Sequence, residues 1–279
     1  MSLPALPSTL GEALDLARGR IDRIDARVLL REAAGVNTTT LAAYPERSLS
    51  LDAAHLYVDW LQRREQGEPV AYLTGEREFF GRLFRVNPAT LIPRPETELL
   101  VELAIAAVED FATPSLLDLG TGSGIIAISI ALERPEAQVT AIDFSPGAIE
   151  VAATNALAQG AKVRCLLGSW YQPVEDERFH CIVSNPPYIA EHDPHLAQGD
   201  LRFEPISALA SGANGLDDIR QIIAKAGQHL LPGGSLLLEH GYDQAAAVRE
   251  LLEAQGFVAV HSWEDLSGIE RVSGGRMPG

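Results

Sequence analysis

From residue 115 onward, short apolar segments of strand length alternate with segments of helical spacing, and this alternation constrains the fold most. The strand segments are 115–119, 138–143, 162–167, 179–184, 234–239, 257–262 and 269–276, and the helical segments are 123–133, 146–159, 215–230 and 243–255. Such alternation predicts a largely parallel sheet with helices on both faces. Ligands of these sheets bind at the carboxyl ends of the strands, so functional residues are expected there.

Residues 1–68 show helical spacing of apolar residues and no strand-like alternation. Thr9 with Glu12 three residues later has the pattern of a capping box at the start of a first helix. A second amphipathic segment ends near Gly35, and Ser50 is suited to cap a third helix. Since no catalytic motif occurs here, we predict a small helical domain without a role in the chemistry.

Residues 69–95 predict a short hairpin followed by a rigid connector. Aromatic residues and glycines in the first part of this region favour the hairpin. In the connector, one proline on each side of Arg94 stiffens the backbone and prevents a helix from starting before Glu96. We therefore predict that a helix at 96–109 opens the second domain, which extends to residue 279.

The negative charge of the chain lies almost entirely in its second part. The net charge is −16, and residues 1–85 contain 11 Arg against 12 acidic residues, whereas residues 86–279 contain 11 Lys and Arg against 26. An acidic domain repels polyphosphate chains, so nucleic acid is not expected as the main substrate. A cationic cofactor or a protein partner is compatible with this charge.

The sequence has no segment typical of a membrane or secreted protein. The longest apolar run, 122–132, is far shorter than the about 20 residues that a bilayer crossing needs. The first residues lack the basic stretch and apolar core of a secretory signal. Cys165 and Cys181 are too few for a disulfide framework or a four-ligand zinc site. We expect a soluble cytoplasmic protein that does not bind a membrane.

The first strand of the alternating region ends in a glycine-rich loop, Asp118-Leu-Gly-Thr-Gly-Ser-Gly124. Its glycines allow a sharp turn and the close approach of a ligand to the backbone. A dinucleotide fingerprint requires glycine where this chain has Ile125. Asp143 ends the next strand, where an acid can hold both ribose hydroxyls. The loop and this acid predict a nucleoside cofactor, S-adenosylmethionine rather than NAD, and leave Asp118 open between a cofactor contact and a structural role.

The fourth strand ends in Ser184-Asn-Pro-Pro-Tyr188, the most specific motif of the chain. Two consecutive prolines fix the backbone and donate no N–H, so the loop presents acceptors. The Asn185 side-chain oxygen and the Pro186 carbonyl can each accept one N–H of a planar –NH2 group, with Tyr188 against its face. Drawing both hydrogens out of the plane directs the nitrogen lone pair toward the methyl carbon of a sulfonium. Fixed acceptors then stabilise the positive charge that develops on nitrogen.

Other polar residues indicate no second site. His192 and His195 lie close in sequence but have no third ligand at a suitable spacing, so we expect them to be loop residues. Ser123 does not lie in a nucleophile elbow, because its flanking glycines have the wrong spacing. We therefore expect neither a metal nor a catalytic triad.

These motifs together resemble the peptide-chain release factor glutamine methyltransferases, the PrmC/HemK family. The resemblance rests on Asp118–Gly124, Asp143, Asn185–Tyr188 and the connector Leu91–Glu98, and it spans about residues 70 to 275. It implies a mixed α/β fold, in which a seven-stranded Rossmann-like S-adenosylmethionine-dependent methyltransferase domain follows a helical bundle. It also implies N5-methylation of the glutamine in the Gly-Gly-Gln motif of bacterial class I release factors.

The resemblance implies roles for individual residues. The implied cofactor-binding residues are Gly120, Thr121, Gly122, Ser123 and Gly124 for the methionine part, Asp143 for the ribose, Trp170 for the adenine, and Asn185. The implied catalytic residues are Asn185, Pro186 and Tyr188, which with Pro187 form the glutamine pocket. A core position for Trp170 remains an alternative, and the roles of Arg94 and Phe203–Pro205 stay open.

Two other functions compete with glutamine methylation. The motif after the fourth strand also resembles that of DNA adenine methyltransferases, but the acidic charge and the lack of a basic target-recognition region disfavour an exocyclic base amine as substrate. A cofactor-binding regulatory protein without turnover has no physical reason to retain the pair of acceptors. We expect a monomer in which residues 1–68 dock the release factor, since this region has an even charge and no catalytic motif.

Overall fold

The computed structural model describes residues 6–279 of the chain. The chain divides into two compact units, Met1–Glu76 and Arg77–Gly279. None of the helices within the described range has the length and apolar composition of a membrane span.

The first unit consists of short helices; the spacing of its apolar residues predicts three of them, whereas those at 38–43 and 70–74 were not predicted, and the latter lies in the region expected to begin the hairpin. The helices are α1 (Leu10–Ala17), α2 (Arg23–Ala34), α3 (Thr38–Ala43), α4 (Leu51–Glu65) and α5 (Val70–Thr74). Thr9 caps α1 by accepting from the Glu12 N–H at 3.2 Å, and Ser50 caps α4 by accepting from the Ala53 N–H at 3.2 Å. Both N-caps are therefore confirmed, but the Glu12 carboxylate accepts from the Ser8 N–H at 2.8 Å and not from that of Thr9, so the predicted capping box is shifted by one residue.

Helix α3 was not predicted, because six residues with three consecutive threonines carry no amphipathic period. Asn37 begins it by accepting a hydrogen bond from the Thr40 N–H at 2.8 Å. The apolar faces of the helices enclose a core of their own, which includes Leu29, Leu30 and Tyr57. The helical character of this unit thus follows from burial of one face of each longer helix.

The predicted hairpin and connector precede the main sheet. Strands β1 (Glu76–Phe79) and β2 (Arg82–Arg85) form the hairpin. The connector is extended at Arg94, with φ −105° and ψ 138°, as expected for a residue before proline. A 3-10 turn, Pro95–Thr97, then leads into α6 (Glu98–Ala107), slightly shorter than the predicted helix.

Seven strands and four further helices follow. The strands are β3 (Ser115–Leu119), β4 (Gln138–Asp143), β5 (Val163–Leu167), β6 (Phe179–Ser184), β7 (Leu230–Glu239), β8 (Val258–Glu264) and β9 (Glu270–Arg276), and the helices are α7 (Ile125–Glu133), α8 (Pro146–Gln159), α9 (Asp217–Ala226) and α10 (Ala245–Ala254). The strand order is β5-β4-β3-β6-β7-β9-β8. Strands β3 to β7 are parallel, and β9 is antiparallel to β7 and β8. The predicted α/β class, a seven-stranded Rossmann-like sheet after a helical bundle, is confirmed.

Helices cover both faces of the sheet because successive strand residues point to opposite sides. On β3, Leu116 belongs to one core together with residues of α6 and α7, whereas Leu117 and Leu119 belong to another with residues of α9 and α10. Strand β7 begins earlier than predicted, since Leu230 pairs with Phe179 ahead of an irregularity in the register. The central strands are buried on both sides, so their ends alone are open to ligands.

Candidate functional site

A cavity opens where the strand order reverses. Because β3 lies between β4 and β6, the connections after β3 and β6 run toward opposite sides of the sheet and leave a crevice at their carboxyl ends. The cavity at this point has a volume of about 740 Å³. That size suits a small molecule or cofactor.

Most of the predicted site residues line this cavity: Gly120, Thr121, Gly122, Ser123, Asp143, Trp170, Asn185 and Pro187. Gly124 and Pro186 are not among the lining residues: Gly124 directly precedes α7, and Pro186 is buried. Tyr188 borders a second cavity of about 50 Å³, which Asn185 also lines. The structure therefore brings the glycine loop, the acid after β4 and the motif after β6 to one edge of the sheet.

The glycine loop is held in place by its own backbone N–H groups. Those of Gly120 and Thr121 both donate to the Ile142 carbonyl, at 2.8 and 3.0 Å. The Gly122 N–H donates to Oδ2 of Asp143 at 2.9 Å. These N–H groups already donate to residues of β4 and are not available to a ligand. A ligand would instead contact the backbone of the glycines, which have no side chains to keep it away.

Gly124 requires glycine for two separate reasons. Its φ is +85°, a left-handed conformation that other residues adopt at a cost. A Cβ there would lie 2.8 Å from Cδ1 of Ile128 and 3.2 Å from Cβ of Ala152. Because Ile128 belongs to α7 and Ala152 to α8, the missing side chain lets the two helices approach beneath the loop.

Two carboxyl groups support the loop from different sides. Asp143 accepts from the N–H groups of Gly122 and Ser145, and burial raises its pKa. Asp118 is fully buried, and its Oδ2 accepts from the Thr121 hydroxyl at 2.6 Å and from the Ala127 N–H at 3.3 Å. Burial raises the pKa of Asp118 to about 7. Since Asp118 lies beneath the loop and Asp143 lines the cavity, the structure favours the structural role that was left open for Asp118.

Trp170 lines the cavity and also packs against the core under the sheet. Its φ is +48°, an uncommon conformation for a large residue that often accompanies functional positions. Its ring lies beside the glycine loop, so that a Cβ on Gly120 would be 3.5 Å from it. The indole thus forms a flat wall next to the loop while its other contacts hold it in place.

The Asn185 side chain is anchored at one end only. Its Nδ2 donates to the Thr97 hydroxyl at 3.1 Å. Its Oδ1 is buried and has no hydrogen-bond partner among the described residues. A buried amide oxygen without a partner is costly, which makes it a candidate for a ligand contact. Burial raises the pKa of Tyr188, so its phenol stays protonated and does not act as a base.

The connector and the segment Phe203–Pro205, whose roles were left open, are joined beside the cavity. Glu204 is buried, forms an ion pair with Arg94 and accepts from the Ile92 N–H at 2.9 Å. Burial raises the pKa of Glu204, and the charge of Arg94 opposes that rise. Leu91, Arg94 and Pro205 line the cavity, so this pair closes one side of it.

Several lining residues were not predicted. They include Phe144, Ser207, Ala208, Asp218 and Gln221. Phe144 directly follows Asp143, and this adjacency was the one available signal. The others belong to the connection after β6 and to the start of α9. No local sequence pattern predicts that these segments reach the cavity.

Of the histidines near the motif, His192 lies in a turn and His195 in a short 3-10 helix, Pro194–Ala197, within the connection after β6. His195 lies on the surface, and its ring contacts Asp193 at 2.7 Å. Within residues 6–279 no group of His, Cys, Asp and Glu is arranged to hold a metal ion.

The lining of the cavity fits the predicted cofactor. Among the described residues that line it, Arg94 is the only basic one, and it is paired with Glu204. A cavity with the carboxyl groups of Asp143 and Asp218 and no unpaired basic residue suits a cationic ligand and disfavours a phosphate. S-adenosylmethionine carries a sulfonium and no phosphate.

Comparisons with known proteins identify relatives for both units. A family model described as "Methyltransferase small domain" matches residues 96–201, and one described as "PrmC N-terminal domain" matches residues 12–75. A release factor glutamine methyltransferase of Burkholderia pseudomallei is 52% identical over 98% of this chain and 98% of its own length. One of Bordetella pertussis is 50% identical over 93% of this chain and 97% of its own length.

Solved structures support the fold. A methyltransferase from Pyrococcus furiosus is similar with a TM-score of 0.54 and 19% identity, over 79% of this chain and 98% of that chain. At 19% identity this similarity shows the fold alone, that is, the arrangement of the sheet and its helices.

Proposed function

The chain belongs to the release factor glutamine methyltransferase family, and from this premise we propose that it methylates a glutamine side chain of a peptide-chain release factor. The methyl donor is S-adenosylmethionine, and the acceptor is the N5 amide nitrogen in the Gly-Gly-Gln motif. The observation that carries this proposal is the buried Oδ1 of Asn185, which lacks a partner among the described residues and belongs to a residue that lines both cavities.

The pocket residues would prepare the amide for transfer. An amide nitrogen is a weak nucleophile because its lone pair is delocalised into the carbonyl. Oδ1 of Asn185 and the Pro186 carbonyl would each accept one of its hydrogens, and Tyr188 would lie against the flat face of the group. S-adenosylmethionine, when bound, supplies a methyl group on a positively charged sulfur. The fixed acceptors stabilise the positive charge that builds on nitrogen without having to reorient.

The cofactor would lie along the glycine loop. Gly120–Gly124 would contact the methionine part, Asp143 the ribose hydroxyls and Trp170 the adenine. Gly124 would act through the shape of the loop, because it packs α7 against α8 instead of lining the cavity. Both oxygens of Asp143 accept backbone N–H groups, and each retains a lone pair for a ribose hydroxyl.

Transfer of labelled methyl groups tests the proposed function. The chain is incubated with S-adenosylmethionine carrying a radioactive methyl group and either a release factor, the same factor with the motif glutamine replaced by glutamate, or duplex DNA. Label is expected only in the unmodified release factor. Label in DNA would support base methylation instead, and label in none of the three would support a regulatory protein without turnover.

We also propose that the first unit docks the release factor, with the chain acting as a monomer in the cytoplasm. Ile24 and Leu51 are apolar side chains of this unit that are 71% and 72% exposed. Substitution of both by aspartate should raise KM for the release factor and leave kcat and cofactor affinity unchanged. Leu157→Asp, at an 84% exposed leucine of the second unit, is the matched control and should change none of the three. An unchanged KM in the double variant would contradict docking through these side chains.

A further inference from the structure

A fully buried glutamate lies behind the motif after β6, and no role in the chemistry described above requires it. Glu239 ends β7, which pairs with β6 so that Ser184 is opposite Leu238. Asn185, directly after β6, and Glu239, the last residue of β7, therefore lie side by side at the carboxyl edge of the sheet. A buried carboxyl group beside the predicted substrate site needs an explanation, because burial of an acid is costly.

Thr97 connects these two residues. Its side chain is completely buried, and its hydroxyl accepts from Nδ2 of Asn185 at 3.1 Å. A hydroxyl that accepts one hydrogen bond keeps its own proton for another acceptor. Hydrogen bonding from both Thr97 and Asn185 acts on Glu239 and lowers its pKa against the effect of burial. Asn185 thus donates to Thr97, and the carboxyl group of Glu239 lies next to both, with its Oε2 buried and without a partner in the described part of the chain.

This direction determines which end of the Asn185 amide is left without a partner for a ligand to bind. A carboxylate is an acceptor only, so it attracts the NH2 end of the amide and repels the oxygen. With Nδ2 held toward Thr97 and Glu239, Oδ1 is left facing away, and it has no partner among the described residues. A flipped amide would place oxygen against oxygen at the glutamate and would present a donor to the substrate.

We propose that Glu239, acting through Thr97, is a positioning residue that holds the Asn185 amide with its oxygen toward the substrate nitrogen. The proposal rests on the proposed function, since it concerns the acceptor for the glutamine amide. The negative charge at the far end of the amide also makes Oδ1 a stronger acceptor, because hydrogen bonds in a chain polarise one another.

The protonation state of Glu239 gives the proposal a distinct signature. Burial raises the pKa of this glutamate to about 7; the charge of Arg271 lowers it, and that of Glu96 raises it. Tyr188 also interacts with it and its phenol stays protonated, and burial lowers the pKa of the adjacent His240, so that its ring stays neutral. Protonated Glu239 can itself donate a hydrogen bond and no longer selects one orientation of the amide. Since the carboxylate is the positioning form, kcat is expected to fall as the pH decreases below about 7.

Three variants of nearly unchanged shape test this. Thr97→Val removes the hydroxyl, Thr97→Ser retains it, and Glu239→Gln replaces one acceptor oxygen by a donor. Thr97→Val and Glu239→Gln should lower kcat by about 10- to 100-fold. This is the loss expected when a substitution away from the reacting atoms shifts the position of a group that contacts them, here the Asn185 amide. KM for S-adenosylmethionine should change much less than kcat, because the glycine loop and Asp143 are untouched, and Thr97→Ser should restore most of kcat. The fall of kcat below pH 7 should be absent in Glu239→Gln.

Failure of this inference is distinct from failure of the proposed function. If the wild-type chain methylates the release factor but Thr97→Val and Glu239→Gln retain its kcat and its pH profile, the inference is wrong. If Thr97→Ser loses as much activity as Thr97→Val, the hydroxyl is not the cause. The NMR signal of the Asn185 side-chain amide tests the inference even if the wild-type chain does not methylate the release factor. It should shift in Thr97→Val and Glu239→Gln and stay in place in Thr97→Ser, and an unmoved signal in all three would overturn the proposal.

Discussion

Replacement of Asn185 by alanine should abolish most activity without destabilising the protein. The substitution removes a buried side-chain oxygen that has no hydrogen-bond partner within residues 6–279. Loss of a single fixed dipole of this kind costs about 2.7–4 kcal/mol of transition-state stabilisation, so kcat should fall by about 10²- to 10³-fold. Cofactor affinity should fall much less than kcat, since Asn185 is only one of the implied cofactor-binding residues and the glycine loop and Asp143 are untouched.

The stability change follows from two opposing contributions. Removing a buried acceptor without a partner relieves about 1–3 kcal/mol, and losing the Nδ2 hydrogen bond to Thr97 costs about 0.5–1.5 kcal/mol. Because Asn185 lines open cavities, its truncation creates no sealed void. The sum predicts a Tm that is unchanged or a few degrees higher, at about 2–4 °C for each kcal/mol in a unit of this size.

Asn155→Ala is the matched control. Asn155 is also a buried asparagine, but its Oδ1 accepts from the Arg85 N–H, and its Nδ2 donates to the carbonyls of Arg85 and Ser123. Its truncation leaves those backbone groups unpaired and should lower Tm by several degrees. Single-turnover methyl transfer and thermal unfolding followed by circular dichroism measure both effects. A kcat for Asn185→Ala within a few-fold of wild type, or a loss of Tm matching that of Asn155→Ala, would refute the reasoning.

Three further predictions concern the cofactor side of the cavity. Gly124→Ala should destabilise the second unit by about 1–2 kcal/mol or more from its positive φ and tight packing, whereas Gly160→Ala, at φ +69° with open space around it, should show only the conformational cost in urea unfolding. Burial raises the pKa of Asp118 to about 7, so the folded state binds this proton more tightly than the unfolded state, and stability should fall as pH rises toward 7. Asp118→Asn should flatten that dependence in urea titrations at several pH values. Trp170→Ala should raise the Kd for S-adenosylmethionine about 10-fold or more in calorimetry, since stacking of a base on an aromatic ring contributes about 1–3 kcal/mol.

The boundaries of β3, β4 and β6 were predictable because each is a short apolar run between polar or glycine-rich segments. The glycine loop and the motif after β6 were also predictable, because few other structures require these residue types in this order. Helix α3 and the early start of β7 were not predictable. The first lacks a period, and the second depends on a pairing with Phe179 that only the assembled sheet provides.

Residue order by itself determined the succession of strands and helices, and with it the edge at which the glycine loop and Asn185 meet. Parallel strands place their carboxyl ends together, whatever fills the space between them. The tertiary structure alone decided the partners of those residues: Thr97 and Glu239 behind Asn185, and Glu204 beside Arg94. Thr97 is 88 positions from Asn185, and Arg94 is 110 positions from Glu204. The burial that brings these residues together depends on the packing of the whole unit. Local pattern thus specifies which groups reach the site, while packing specifies how each group is oriented and charged once it is there.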